Sequence, residues 1–357
     1  MKNMMLTLSF TEILHSWYKK HARALPWRNI SDPYKIWVSE TILQQTRISQ
    51  GLPYYKCFIE RFPNIAELAA ADSDEVMKYW EGLGYYTRIR NMHEAAKNIV
   101  LEHNGKFPGS YDAVRKLKGI GDYTAAAIVS IAFGMPYAAI DGNVLRVIAR
   151  CFGIEEAINT SATKKKINRL ATELLDVENP GIHNQAMMEL GALVCKPQNP
   201  DCELCPIKNV CRAYINNMVK QLPFKNKPQP RKIRYFIFLV IRCGQTFAIE
   251  KREEPDIWKN LYQFPLVETE MLPDCEEVVH LPGMWEILQN SGAVITGISR
   301  IYQHELTHRR IIARFVHVNT ETKPTRGERI IWINTEDFST FAFPALIKNY
   351  LQECNFS

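Results

Sequence analysis

The rhythm of hydrophobic and polar positions along this chain changes once. Up to about residue 219 the apolar residues recur at helical spacing between short polar breaks. In "PYKIWVSETILQQTR" (33–47), Pro33 suits a first helical turn. Trp37, Glu40, Gln44 and Arg47 then fall on one helical stripe beside apolar Ile36, Ile42 and Leu43. Further helices are expected over about Tyr111–Leu117 and from near Tyr123. From about residue 232 the pattern turns to strands. "YFIFLVI" and "TFAIEKR" flank "RCGQ" and predict a hairpin, and "RRIIARFVHV" and "ERIIWI" add two more strand signals. "PGMWEILQNSG" and the tail from Pro344 read as helices. Between the two regimes, "VKQLPFKNKPQPRKIRY" carries three prolines and basic residues without an acid, an extended linker placed at 220–231. The pattern predicts an all-α domain over 1–219 and an α+β domain over 232–357, with no internal repeat.

At 357 residues and 46% hydrophobic, the chain can bury two cores. No apolar run reaches roughly 20 residues, so no membrane span is expected. "MKNMMLTLSFTEIL" lacks an export signal, and a cytoplasmic protein with reduced thiols is expected. The formal excess of +6 falls within residues 1–225, which is compatible with nucleic acid without demanding it.

Reduced thiols make "CKPQNPDCELCPIKNVC" (195–211) informative. Cys195, Cys202, Cys205 and Cys211 follow C-x6-C-x2-C-x5-C, four soft ligands suited to zinc or an iron–sulfur cluster. A zinc ribbon usually pairs two C-x2-C knuckles and only one is present. Three unequal loops around one centre fit a cubane cluster better. The other five cysteines are scattered.

"LKGIGDYTAAAI" (117–128) joins two expected helices through a tight G-I-G turn. Gly119 and Gly121 allow unusual φ and close backbone approach, and the next helix N-terminus favours an anion. Such a helix–hairpin–helix grips a DNA phosphate without reading sequence. Downstream, "AAIDGNVLRVIAR" sets Asp141 just before a helix, where capping would hold its charge in place. Glu40, beside Trp37 and next to core positions, is a candidate proton donor with a raised pKa.

The hairpin, Asp141 about twenty residues after it and the four-cysteine signature resemble the helix–hairpin–helix DNA glycosylases related to endonuclease III. Within residues 25–215, "LPWR" (25–28), "IWVSETILQQTR" (36–47), "GLGYYTRIRNMHEAA" (82–96) and "IDGNVLRV" (140–147) resemble the adenine DNA glycosylase (MutY-type) branch. That branch removes adenine mispaired with 8-oxoguanine. "WKNLYQFPLVE" (258–268) and "YQHELTHRR" (302–310) resemble its lesion-recognition domain, a Nudix-like α+β fold. No R-E-x-x-E-E helix is present, so pyrophosphatase chemistry is not expected.

The resemblance implies a two-domain protein. A six-helix subdomain would cover about 28–136. A cluster subdomain would combine residues 1–27 with 137–219, holding a [4Fe-4S] cluster on the four cysteines. The resemblance implies Glu40 as acid, Asp141 as the carboxylate facing the sugar, and Tyr123 and Asn143 as positioning groups. Arg28 and Gln185 would contact adenine. Gln44 and Tyr85 would enter the duplex beside the lesion, Gln45 would bind DNA, and Gly119 and Gly121 would hold phosphate. Thr307 and His308 would meet 8-oxoguanine, in a Leu306-Thr307-His308 run where the family commonly has Phe-Ser-His. Strand-cleaving relatives carry a lysine where this chain has Tyr123, so a glycosylase without strong lyase activity is expected. The implied partners are double-stranded DNA with A:8-oxoguanine or A:G mispairs and other repair or replication proteins, with the chain itself a monomer. Two alternatives stand beside this reading. One is an endonuclease III-like glycosylase for oxidised pyrimidines, which Tyr123 and the C-terminal domain disfavour. The other is a non-catalytic iron–sulfur DNA-binding or redox-sensing protein, which Glu40 and Asp141 disfavour.

Overall fold

A computed structural model describes residues 2–226, 230–324 and 329–356. Residues 227–229 of the expected linker, Glu328 of the "ERIIWI" signal, and Met1 and Ser357 lie outside the described residues. The chain divides by contact into two compact units, Met1–Ala70 with Asn91–Lys227, and Ala71–Arg90 with Pro228–Ser357.

The first unit is helical. Its elements are Lys2–His21, Pro33–Leu43, Ile48–Arg61, Ile65–Ala70, most of Thr87–His103, Tyr111–Lys116, Asp122–Phe133, Gly142–Cys151, Ser161–Leu174 and Pro180–Leu193. Helix Asp122–Phe133 is apolar on every side, because "TAAAIVS" consists of small or aliphatic residues, and it is buried from Thr124 to Ser130. It packs against Pro33–Leu43, Tyr111–Lys116 and Pro180–Leu193, and so sets the spacing of the helices around the pocket. A second core joins Leu14, Val147, Ile148, Ile167, Met187 and Leu190. Polar caps fix where helices begin. Asp32 accepts from the Tyr34 and Lys35 N–H groups at 3.0 and 3.3 Å, an arrangement worth about 1 kcal/mol.

Helix Pro33–Leu43 stops sooner than its periodicity predicts. Gln44 leaves helical geometry at ψ 111°, Gln45 is left-handed at φ 58°, and Arg47 caps Ile48–Arg61. The expected stripe therefore ends at Glu40. The turn brings the next helix close: a Cβ on Gly51 would lie 3.0 Å from Ile42 Cγ2 and 3.1 Å from Leu43 Cδ2. The hairpin helices form where expected. Of its two glycines only Gly119 needs positive φ, at 80°, where a Cβ would strike Asn91 Cβ at 2.6 Å. Gly121 is ordinary extended backbone at φ −91°. The expected linker is pinned at its start, since Leu222 O accepts from Arg150 Nε at 2.8 Å and Phe224 O from the Ile158 N–H at 3.0 Å.

The second unit is built on one mixed sheet of eight strands: β1 (Lys232–Cys243), β2 (Thr246–Lys251), β3 (Tyr262–Gln263), β4 (Leu266–Thr269), β5 (Val294–Ile298), β6 (Tyr302–Glu305), β7 (Arg309–Thr320) and β8 (Ile330–Asn334). β1 and β7 run parallel from Lys232↔Arg309 to Cys243↔Thr320, and every other pair is antiparallel. β1 is buried on both faces from Phe236 to Ile241, which accounts for its unbroken apolar run. Ile237, Leu239 and Ile241 pack with Met284 of helix Pro282–Ile287. On the other face Phe315 stacks 3.7 Å from Tyr350 of helix Ala345–Glu353. The β1–β2 hairpin turns at Gly244, φ 61°.

Residues 71–90, helical by pattern and assigned by it to the first domain, contact the second unit. Asp74 accepts from Lys251 Nζ and, at 2.6 Å, from Tyr262 Oη. Buried Glu81 accepts from Lys78 Nζ, Lys348 Nζ and the Phe343 N–H, each at 2.9 Å. Periodicity reports which face of a helix is apolar, not what covers it.

Candidate active site

Helices of the first unit and the loop before residue 33 line a pocket of about 820 Å³. Helix Pro33–Leu43 contributes Glu40, Asp122–Phe133 contributes Tyr123, and Pro180–Leu193 contributes Gln185, Met188 and Glu189. Asp141 and Asn143 enter from the start of Gly142–Cys151, and Arg28, Gln44 and Gln45 also line the space. The structure thus gathers most of the sequence candidates of this unit around one cavity.

Glu40 is only 8% exposed. Burial raises its carboxyl to about 7, and the charge of Asp141 adds to this. The Tyr123 hydrogen bond and Arg28 act the other way. Near neutral pH a fraction of the side chain therefore carries a transferable proton. Tyr123 donates its hydroxyl hydrogen bond to Glu40 Oε2, and its oxygen lies 3.2 Å from Met188 Sδ. Burial and the neighbouring Glu40 raise the phenol, so it stays a donor. Tyr123 accordingly pairs with Glu40 rather than with Asp141.

Asp141 caps helix Gly142–Cys151 and accepts three hydrogen bonds, from the Asn143 N–H (2.9 Å), the Val144 N–H (2.8 Å) and Asn143 Nδ2 (2.6 Å). Burial raises its carboxyl, and these bonds oppose the rise. Asn143 is in turn held by Arg146, whose Nη2 donates to Asn143 Oδ1 at 2.8 Å while its Nε donates to the Cys195 carbonyl at 2.7 Å. Gly191 makes room here, since a Cβ would sit 2.5 Å from Asn143 Cβ.

Glu189 escaped the sequence reading. Arg23 and Arg28 each pair with both of its oxygens: Arg23 Nε and Nη2 at 2.8 and 2.6 Å, Arg28 Nη1 and Nη2 at 3.1 and 2.6 Å. Burial alone would raise Glu189, but the two guanidinium groups bring it down to about 2. Gln185 accepts from Tyr18 Oη at 2.8 Å. The signal for Glu189 was present, because Gln185, Met188 and Glu189 share one helical face at i, i+3 and i+4.

Cys195, Cys202, Cys205 and Cys211 line one small cavity with Val147, Arg150 and Cys151. Burial, and after it the other three thiols, raises Cys205 to about 12. Arg150 Nη1 points at Cys195 Sγ from 3.4 Å. Four half-buried thiols on one small cavity are a soft donor set that suits an iron–sulfur or zinc centre. Among the described residues no group of three or more His, Cys, Asp or Glu converges on a single metal ion.

The remaining candidates lie in the second unit. Thr307 and His308 are exposed at the turn between β6 and β7. Tyr85, left-handed at φ 49° and 46% exposed, lies with its hydroxyl 3.0 Å from Thr307 Oγ1. Among the described residues no helix is long and apolar enough to cross a membrane.

Residues 38–175 match the HhH-GPD superfamily of base excision DNA repair proteins, and residues 236–353 match the NUDIX domain. The adenine DNA glycosylase of Buchnera aphidicola subsp. Baizongia pistaciae (strain Bp) is 33% identical over 347 residues, covering 95% of each chain. That of Schizosaccharomyces pombe is 37% identical over 407 aligned positions, covering 96% of this chain and 88% of its own. The solved structure of a thermostable thymine-DNA glycosylase matches 59% of this chain and 97% of its own, with TM-score 0.55 and 27% identity.

Proposed function

This chain belongs to the adenine DNA glycosylases, and from that premise we propose that it removes adenine paired with 8-oxoguanine or guanine by acid-catalysed cleavage of the glycosidic bond. The observation that carries this reading is a buried Glu40 held near 7 in one pocket with an Asp141 fixed by three hydrogen bonds. The two carboxyl groups have separate tasks because their surroundings differ.

Adenine must leave the duplex to enter such a pocket. Glu40 donates its proton to the base, at N7, and adenine becomes a neutral leaving group. As the bond from C1′ to N9 breaks, positive charge develops on the sugar, and the Asp141 carboxylate stabilises it. Glu40, now ionised, takes a proton from the attacking water. Tyr123 holds Glu40, and Asn143 holds Asp141. Arg28 and Glu189, locked together, offer fixed donors and acceptors at the base end of the pocket. Tyr123 is not an amine, so no Schiff base forms and the product is an abasic site.

Cys195, Cys202, Cys205 and Cys211 would hold a [4Fe-4S] cluster, which when bound stabilises the 195–211 loop. In the second unit, Thr307 and His308 read 8-oxoguanine, with Tyr85 entering the duplex beside it. The hydrogen bond between Tyr85 and Thr307 supports a common surface for these residues.

The test is incubation with duplexes bearing A opposite 8-oxoguanine, A opposite G, and thymine glycol, followed by alkali. Base loss from the A strand, with breakage mainly after alkali, is expected. Excision of thymine glycol would favour the oxidised-pyrimidine reading, and no excision from any duplex the non-catalytic one.

A further inference from the structure

The segment 252–261, between β2 and β3, holds a cluster of charge outside the pocket. Asp256 receives three arginines there. Arg309 Nη1 reaches its Oδ1 at 2.5 Å, and Arg234 Nη1 and Arg252 Nη2 reach its Oδ2 at 2.6 and 3.0 Å. These arginines come from three strands or their ends: Arg234 from β1, Arg252 just after β2, and Arg309 as the first residue of β7. Glu268 binds the remaining face of Arg234 with two contacts of 2.6 Å. The carboxylate of Asp256 is partly buried, with 23% of its side chain exposed.

The same segment also reaches the other arm of the β6–β7 hairpin. Trp258, held left-handed at φ 60°, sets its ring 6.0 Å from that of His304 on β6. Both arms of the hairpin are thus tied to one loop, by charge at Arg309 and by ring contact at His304. The tip between them is Leu306-Thr307-His308. It is closed by the Leu306 N–H on the Arg309 carbonyl at 2.8 Å and braced by the Lys232 N–H on the His308 carbonyl at 3.2 Å. Glu305 also ties the arms, accepting from Arg310 Nε and, at 2.7 Å, from Arg231 Nη1, but these pairs are more exposed than the Asp256 carboxylate. A carboxylate that neutralises three cations at the base of β7 fixes Arg309, the residue next to the tip, more firmly than those surface pairs do.

We propose that Asp256 is a positioning residue for lesion reading: by fixing Arg309, it holds the Thr307 hydroxyl where a base edge can use it. The proposal rests on the reading that Thr307 and His308 meet 8-oxoguanine. It explains why a run with no aromatic anchor at position 306 can still present a hydroxyl in one place.

The test compares single-turnover excision of adenine opposite 8-oxoguanine and opposite G in the full chain, for Asp256→Asn, Thr307→Val and the double variant. Asp256→Asn keeps the size of the side chain and removes the charge. The preference for 8-oxoguanine is expected to fall about fivefold to tenfold in each single variant, carried by the 8-oxoguanine arm. The double variant should fall no further than Thr307→Val alone, because Asp256 acts through Thr307. A purely structural role would add its loss to that of Thr307→Val and depress both substrates alike. Arg309→Gln, which breaks the same link from the other side, should reproduce the Asp256→Asn result, and it serves if Asp256→Asn does not fold. If Thr307→Val lowers the preference and neither Asp256→Asn nor Arg309→Gln does, the positioning role is wrong. If Thr307→Val itself changes nothing, the reading of Thr307 as a lesion contact is what fails.

Discussion

Glu40 and Glu189 line one pocket, and both are almost wholly buried, at 8% and 1% exposed. Yet burial holds one near 7, and two arginines hold the other near 2. The residue type is the same and so is the loss of water. What differs is the supply of cations. Glu189 has a bidentate guanidinium on each side, whereas Glu40 receives a phenol hydrogen bond and faces the negative Asp141. A buried carboxyl given charge partners becomes a permanent anion that organises its neighbours. Where a phenol donor and the charge of Arg28 oppose burial without offsetting it, it becomes an acid. Glu81 of the second unit is a related case: against burial, the Phe343 N–H and then Lys78 and Lys348 lower its carboxyl.

The comparison breaks most severely at Glu40. Glu40→Gln keeps the shape and removes the proton, so excision should fall by about a thousandfold or more while binding to an A:8-oxoguanine duplex persists. Single-turnover rates beside binding isotherms check this, and a loss under tenfold would remove Glu40 from the role of acid. Next is Asp141→Asn, which deletes the anion facing the sugar and keeps the cap acceptor. Excision should drop about a hundredfold to a thousandfold. If only the melting temperature moves, Asp141 is a cap and nothing more.

Glu189→Gln tests the other end. It leaves Arg23 and Arg28 without their shared anion, and stability should fall by about 3 kcal/mol, at the low end for a broken buried pair because Arg23 reaches solvent. Denaturant midpoints measure it. The contribution of Glu189 depends on pH in a fixed direction. Its folded pKa is depressed, so its stabilisation is complete above the ordinary carboxylate range and is lost as pH falls toward about 2.

Tyr123→Phe sharpens the comparison with the smallest change. Glu40 must be protonated to act, so the excision rate should decline as pH rises through about 7. The hydroxyl favours the ionised form of Glu40. Without it the carboxyl rises further, and the declining limb should move to higher pH, with the plateau rate reduced about tenfold or less. A profile with an unmoved limb would show that the Tyr123 bond does not tune the acid.

Local pattern made much of this molecule legible. The change from helical to alternating rhythm marked two kinds of fold, and Pro33, Asp141 and the Gly119 turn announced their helix boundaries because caps and turns are local chemistry. Residue type and spacing marked Glu40, Asp141 and the four cysteines as candidates, and the fold brings the first two to one pocket and the cysteines to one small cavity. The tertiary structure decided matters that depend on what arrives from far along the chain. It paired Tyr123 with Glu40, 83 residues away, and Arg28 with Glu189, 161 residues away. It ended helix Pro33–Leu43 before Gln44, where the chain turns so that Gly51 of the next helix packs on Ile42 and Leu43. It gave residues 71–90 to the sheet-bearing unit through Asp74 and Glu81. A side chain's type and spacing are written locally, whereas its pKa and its partner are set by dielectric and charge. Those exist only once the chain has closed around it.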